Sequence, residues 1–91
     1  MKPYQNIMES LVEEVYEASK DQLGCCTCDR CHADIVAYTL NHLPPKYAVS
    51  PSGISIAKVM NLRSQHIADI QANLARAAEL VARSPRHDEP L

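Results

Sequence analysis

All four cysteines of this 91-residue chain fall in one seven-residue window, Cys25-Cys26-Thr27-Cys28-Asp29-Arg30-Cys31. No other feature constrains the fold as much. A disulfide stabilises by closing a long loop, and a bridge across three residues closes almost none. Adjacent cysteines bridge only with strain. A metal suits the spacing better, because zinc takes soft thiolates at about 2.3 Å in a tetrahedral shell. A tight turn entering a helix can aim three thiols at one point, and the helix N-terminus favours the thiolate form. Two registers remain open: Cys26, Cys28 and Cys31, or Cys25, Cys28 and Cys31. Holding one ion with both neighbours, Cys25 and Cys26, is geometrically awkward. Three local thiolates are expected, with a fourth ligand from His32, His66, Asp69, water, a partner group or Cys25. The same residues also admit two other readings: small buried thiols with no ligand, or a redox switch beside Arg30.

Composition explains why such a staple is needed. The chain has no Trp, no Phe and four Tyr, with 46% hydrophobic residues. Its core must be aliphatic and Ala-rich. A single domain of this size buries only roughly 60–65% of its unfolded surface and is marginal alone. A metal or a second subunit is therefore expected. Nine basic against eleven acidic residues leave a net charge of −2. That lacks the basic excess a binder of long nucleic acid needs, though a small local basic site stays open. No apolar run is long enough to span a membrane. Glu9, Glu13 and Glu14 occupy the place of a signal peptide's apolar region. The expected compartment is cytoplasmic, where clustered thiols stay reduced and read as metal-binding or redox-active.

Along the chain, Pro3 to Gln22 reads as an amphipathic helix. Tyr4, Ile7, Met8, Leu11, Val15 and Ala18 recur at helical spacing, widened by Val12 and Tyr16. Gly24 stops it. A second helix follows, capped by Thr27 or Asp29 and running to about Asn41, where Pro44-Pro45 ends it. Its two faces are both apolar, so it should be central. Lys46 to Val49 reads as extended, and Ser50 to Gly53 as a turn. Ile54 to Arg83 is helical again, with stripes at Ile56, Val59 and Met60, then Ile67, Ile70, Leu74, Ala77 and Val81. The two stripes meet near Asn61 to Ser64, where Ser64 could cap a new helix. The expected fold is all-α, about four helices with at most one short β-strand pair. It forms a single helical domain over residues 1–83, followed by a disordered tail over 84–91. Surplus apolar surface on the second or last helix would make a dimer.

The stretch from Cys26 to Tyr47 resembles the late competence protein ComFB family. The resemblance rests on Cys26-Thr-Cys28-x-x-Cys31, Asp34-x-x-Ala37, Leu40-Asn41 and Leu43-Pro44-Pro45-x-Tyr47. The opening Tyr4-Gln-Asn-Ile-Met-Glu-x-Leu-Val-Glu-Glu is similar as well, so the likeness covers roughly residues 4–83. It implies a small, mostly helical, crescent-like homodimer without enzymatic activity. It implies zinc on Cys26, Cys28 and Cys31; Cys25 lies outside that register and departs from it. It implies a regulator linked to competence, pili or motility, with a downstream protein partner and a cyclic dinucleotide such as cyclic di-GMP as ligand. A zinc-stabilised protein–protein adaptor is the alternative.

A cyclic dinucleotide needs Arg or Lys for its phosphates, flat rings for stacking, and amides or carboxylates for its base edges. Arg30, Asn41, Lys46, Tyr47 and Arg63 have that chemistry and lie in or beside the family-like stretch. Each also has a plain structural use. Asn41 suits a helix C-terminus, Tyr47 a packed ring with a wet hydroxyl, Arg63 a solvated surface. Asp34, on an otherwise apolar helix, either caps the turn or pairs with an arginine across the dimer.

Overall fold

The computed structural model describes residues 3–61 and 64–86. Its elements run in the order β1 (Tyr4–Asn6), α1 (Ile7–Ser19), α2 (Asp29–Asn41), β2 (Tyr47–Val49), α3 (Pro51–Asn61) and α4 (Ser64–Arg83). A single 3-10 turn, Lys20–Gln22, extends α1. The fold is all-α with one two-stranded antiparallel sheet, in the register Tyr4↔Val49, Gln5↔Ala48 and Asn6↔Tyr47. None of the described helices is long and apolar enough to cross a membrane.

The first helix begins later than its apolar spacing predicts. Pro3 does not open it; Tyr4 to Asn6 are extended and pair with β2. Asn6 is the turning point. Its side-chain oxygen accepts the Met8 N–H at 3.1 Å, capping α1, and the Lys46 N–H at 3.0 Å. The Ile7 N–H donates to the Lys46 carbonyl at 2.7 Å. One carboxamide thus satisfies an orphan donor of the helix and ties it to the segment before β2. Tyr4 is accordingly half-exposed rather than core.

The core is aliphatic, as the composition demands. Ile7, Met8, Leu11, Val12, Val15 and Tyr16 of α1 meet Ile35 of α2 and Ile70, Leu74, Ala77 and Ala78 of α4. Each fully buried large side chain among them contributes on the order of 1.5–3 kcal/mol. Ala18 lies outside this face and is exposed. On α2 the buried positions are Cys31, Ile35 and Thr39. Thr39 enters the core because its hydroxyl donates to the Ile35 carbonyl at 2.8 Å, which leaves its methyl to pack.

After Gly24, whose φ of +67° ends the first helical unit in the left-handed region, the chain turns into α2. The cap of α2 is neither Thr27 nor Asp29 but Cys28, whose Sγ accepts the Cys31 N–H. Ser50 to Gly53 is a helix start rather than a free turn. Ser50, at φ +72°, accepts the Gly53 N–H on its hydroxyl at 3.1 Å and the Ile54 N–H on its carbonyl at 3.0 Å. The α3 stripe also departs from the periodicity reading. Ile54 and Ala57 pack on the core, and Ile56, Val59 and Met60 face outward. The expected Ser64 cap and residues 87–91 of the expected tail lie outside the described side chains. At its start the tail makes a specific contact, with Arg86 on Asp34.

Candidate metal centre

The loop from Gly24 to Cys28 and the first turn of α2 bring three thiols together. The sulfurs of Cys26, Cys28 and Cys31 all lie within 4.8 Å of one another, two of them on exposed residues and Cys31 buried. Backbone N–H groups point at two of these sulfurs: Cys28 N–H on Cys26 Sγ at 3.4 Å, and Cys31 N–H on Cys28 Sγ at 3.5 Å. Such N–H···S contacts stabilise thiolate charge, and the start of α2 adds its positive dipole end. Burial, reinforced by hydrogen bonds with Cys28 and Cys26, pushes the uncomplexed Cys31 thiol up to about 12. A cation that accepts sulfur ligands would reverse that cost, since a coordinating thiol is deprotonated outright. Tetrahedral zinc–thiolate geometry needs sulfurs about 3.8 Å apart. The donor set therefore fits zinc after a small contraction.

Cys25 stands apart from this group. It is half-buried and its side chain packs against the core. Burial, and then the neighbouring Cys26, raises its pKa. His32 is engaged elsewhere too. Its Nε2 donates to Glu13 Oε2 at 2.9 Å and Oε1 at 3.0 Å, and its ring stacks on Tyr16 with centroids 4.5 Å apart. Tyr16 is buried, and among the described residues nothing pairs with its hydroxyl. His66 and Asp69 of α4 line a small hollow with Leu43, Pro44 and Lys46, at the opposite end of α2 from the cysteines. Loop and first turn supply all three sulfurs by themselves.

The structure does not bring the other candidate residues to one place. Arg30 bonds Asp34, Nε to Oδ2, at 3.3 Å, and both side chains are largely buried. Asn41 is exposed on a groove between α2 and the end of α4, lined by Asp34, Tyr38, Leu80 and Arg86. Lys46 has its backbone tied to Asn6, as above. Tyr47 is exposed, edge-on to Tyr4 with ring centroids 6.0 Å apart. These two rings border a hollow of about 560 Å³, together with Glu9, Ser50 and Ile54. Arg63 lies outside the described residues.

Two clusters escaped sequence reasoning. One is the Glu13–His32–Tyr16 set. Its only signal was that Glu13 and Tyr16 share a face of α1 beside the cysteine loop. The other is the pair of arginines on Asp34: the carboxylate is held within its own chain by Arg30 and Arg86.

Comparison with known proteins gives one consistent result. The family model described as Late competence development protein ComFB matches residues 5–85. The competence protein ComFB of Bacillus subtilis (strain 168) is 31% identical over 81 residues, which is 88% of this chain and 83% of that protein. The solved structure of the late competence protein ComFB from Bacillus subtilis is similar at a TM-score of 0.82 and 30% identity. That match covers 91% of this chain and 94% of the other.

Proposed function

The chain belongs to the ComFB family, and from that premise we propose that it is a non-catalytic bacterial regulatory protein with zinc bound as a structural staple. Cys26, Cys28 and Cys31 would hold the ion. Bound zinc would supply a cross-link between the loop and α2, the kind of fixed point a small core lacks. The observation that carries this reading is the closeness of the three sulfurs. Metal analysis of the purified protein, with thiol titration before and after chelation, tests it. About one zinc per chain and three thiols released by chelation are expected. No bound metal and four reactive thiols would sink the staple.

The regulatory part extends the family likeness. The protein acts as a cytoplasmic homodimer, responds to a cyclic dinucleotide such as cyclic di-GMP, and passes the signal to a protein partner. Supporting the nucleotide is the exposed Tyr47 ring, set beside Tyr4 over a hollow of about 560 Å³ that also holds the Glu9 carboxylate. Such a surface offers a stacking plane and an acceptor for a base edge. Calorimetry with cyclic di-GMP and with cyclic di-AMP decides the matter. Saturable binding lost in Tyr47→Ala supports it. No heat from either ligand at micromolar protein rejects it. A thiol redox switch is the less favoured reading, because three sulfurs converging on one point is the arrangement a bound metal needs, whereas a switch needs only two.

A further inference from the structure

Asp34 has more partners than its charge requires. It sits mid-helix on α2, in the wall of a groove of about 310 Å³ between α2 and the end of α4, which Tyr38, Asn41, Leu80 and Arg86 also line. Its side chain is largely buried, so a bare carboxylate there is costly. Arg30, one turn back on the same helix and itself largely buried, already balances that charge. Arg86 is a second guanidinium on the same acid, brought from 52 residues away. It holds the carboxylate as a fork, Nη2 on Oδ1 at 2.8 Å and Nε on Oδ2 at 3.3 Å. Arg30 is built into α2. Arg86 stands past the last residue of α4, with its side chain half in solvent.

We infer that this groove is a binding site for an arginine side chain of a partner protein, and that Arg86 fills it as the chain's own displaceable plug. The inference rests on the protein partner in the proposed function and names the chemistry of its contact. Three observations support it. The first is fit. A carboxylate that accepts two parallel N–H bonds selects a planar guanidinium over an ammonium, and the seated Arg86 shows that the groove admits one. The second is the wall. Tyr38 supplies an aromatic ring of the kind on which guanidinium groups stack, and the exposed Leu80 supplies apolar cover for an arginine stem. The third is the weakness of the plug. An ion pair half in solvent favours its closed form only roughly two- to threefold, so an incoming arginine displaces Arg86 at little loss. Arg30 stays on Asp34 throughout and keeps the acid paired during the exchange.

Titration of the isotope-labelled full chain with N-acetyl-arginine methylamide, followed by NMR, tests the site directly. Arg86→Ala should bind this probe saturably at roughly millimolar affinity, as suits one charge-assisted pair, with shift changes gathered at Asp34, Asn41 and Leu80. The wild type should bind roughly threefold more weakly, because its own arginine competes. N-acetyl-lysine methylamide should bind Arg86→Ala roughly fivefold more weakly still, since an ammonium makes no fork. Adding Asp34→Asn to Arg86→Ala should abolish binding. Circular dichroism checks the helices of that double variant, and if they are lost the shift map of Arg86→Ala decides alone. No binding by Arg86→Ala, shifts gathered elsewhere, or equal affinity for the lysine probe overturns the site. Wild-type affinity equal to that of Arg86→Ala overturns Arg86 as its plug. Either failure removes this contact and leaves the protein partner itself standing, to be met by another surface.

Discussion

Arg86, three residues past the end of α4, reaches back to Asp34 on α2, with Nη2 2.8 Å from Oδ1 and Nε 3.3 Å from Oδ2. Arg30 approaches the same carboxylate from the cysteine loop side at 3.3 Å. The tail and the first turn of α2 therefore converge on one acid whose side chain is only 14% exposed.

The Arg86 hydrogen bonds, and then Arg30, hold the Asp34 carboxyl below its ordinary 3.8 despite the opposing effect of burial. A carboxylate depressed on folding contributes stability above its unfolded pKa and loses it as pH falls toward the folded one. Asp34→Asn should cost about 1–3 kcal/mol at neutral pH. The difference from wild type should shrink below about pH 4 and nearly vanish in stronger acid. Urea unfolding across that range checks it, and a difference independent of pH would contradict the assignment. Arg86→Ala should cost only about 0.5 kcal/mol, since its side chain is half in solvent.

Asn6 joins two elements forty residues apart through one oxygen. Asn6→Ala removes a helix cap and a loop bond together and should cost about 1–2 kcal/mol. Asn6→Asp keeps the accepting oxygen at the positive end of α1 and should stay within about 0.5 kcal/mol of wild type. Thermal unfolding of these two together with Asn6→Leu separates this account from one in which the residue's size alone matters: Leu, similar in size but without an acceptor, should lose as much as Ala, not match Asp.

The Tyr16 hydroxyl is buried without a partner among the described residues. A donor left unsatisfied inside the protein costs about 1–3 kcal/mol. Tyr16→Phe keeps the ring against His32 and removes that cost, so it should be neutral or stabilising by up to about 1 kcal/mol. Tyr16→Ala, which empties the site, should lose about 3–5 kcal/mol. Calorimetric melting reads both. A clear loss in Tyr16→Phe would mean that a buried water satisfies the hydroxyl.

Some of this was readable in the sequence and some was not, for identifiable reasons. The buried faces of α1 and α4 follow their apolar periodicity. β1 does not, because Tyr4 continues the helical spacing of Ile7 and Leu11, and its pairing strand lies some forty residues on. The turn of α3 was hidden because two apolar stripes compete there. Tertiary packing chose Ile54 and Ala57, and Lys58 on Glu14 fixes the choice. The cysteine spacing limited the thiol group to two registers. Half-burial of Cys25 against the core, which spacing does not encode, separates it from the other three. Asp34 stood out as an odd acid, but a partner 52 residues away leaves no trace in local pattern.

The last prediction separates the cysteines by role. Cys28 both belongs to the sulfur group and caps α2. Serine caps a helix as well as any residue but is no thiolate ligand. Cys28→Ser should therefore keep its helix content while zinc per chain falls from about one to near zero. Cys25→Ser should keep the metal. Chelation should lower the Tm of wild type and Cys25→Ser by several degrees, at about 4–8 °C per kcal/mol for a domain of this size, and leave Cys28→Ser unmoved. Zinc affinity should also rise with pH, because the ion competes with protons for sulfurs such as Cys31, held at about 12 when uncomplexed. Zinc retained by Cys28→Ser but lost by Cys25→Ser would reverse the register and place Cys25 in the site.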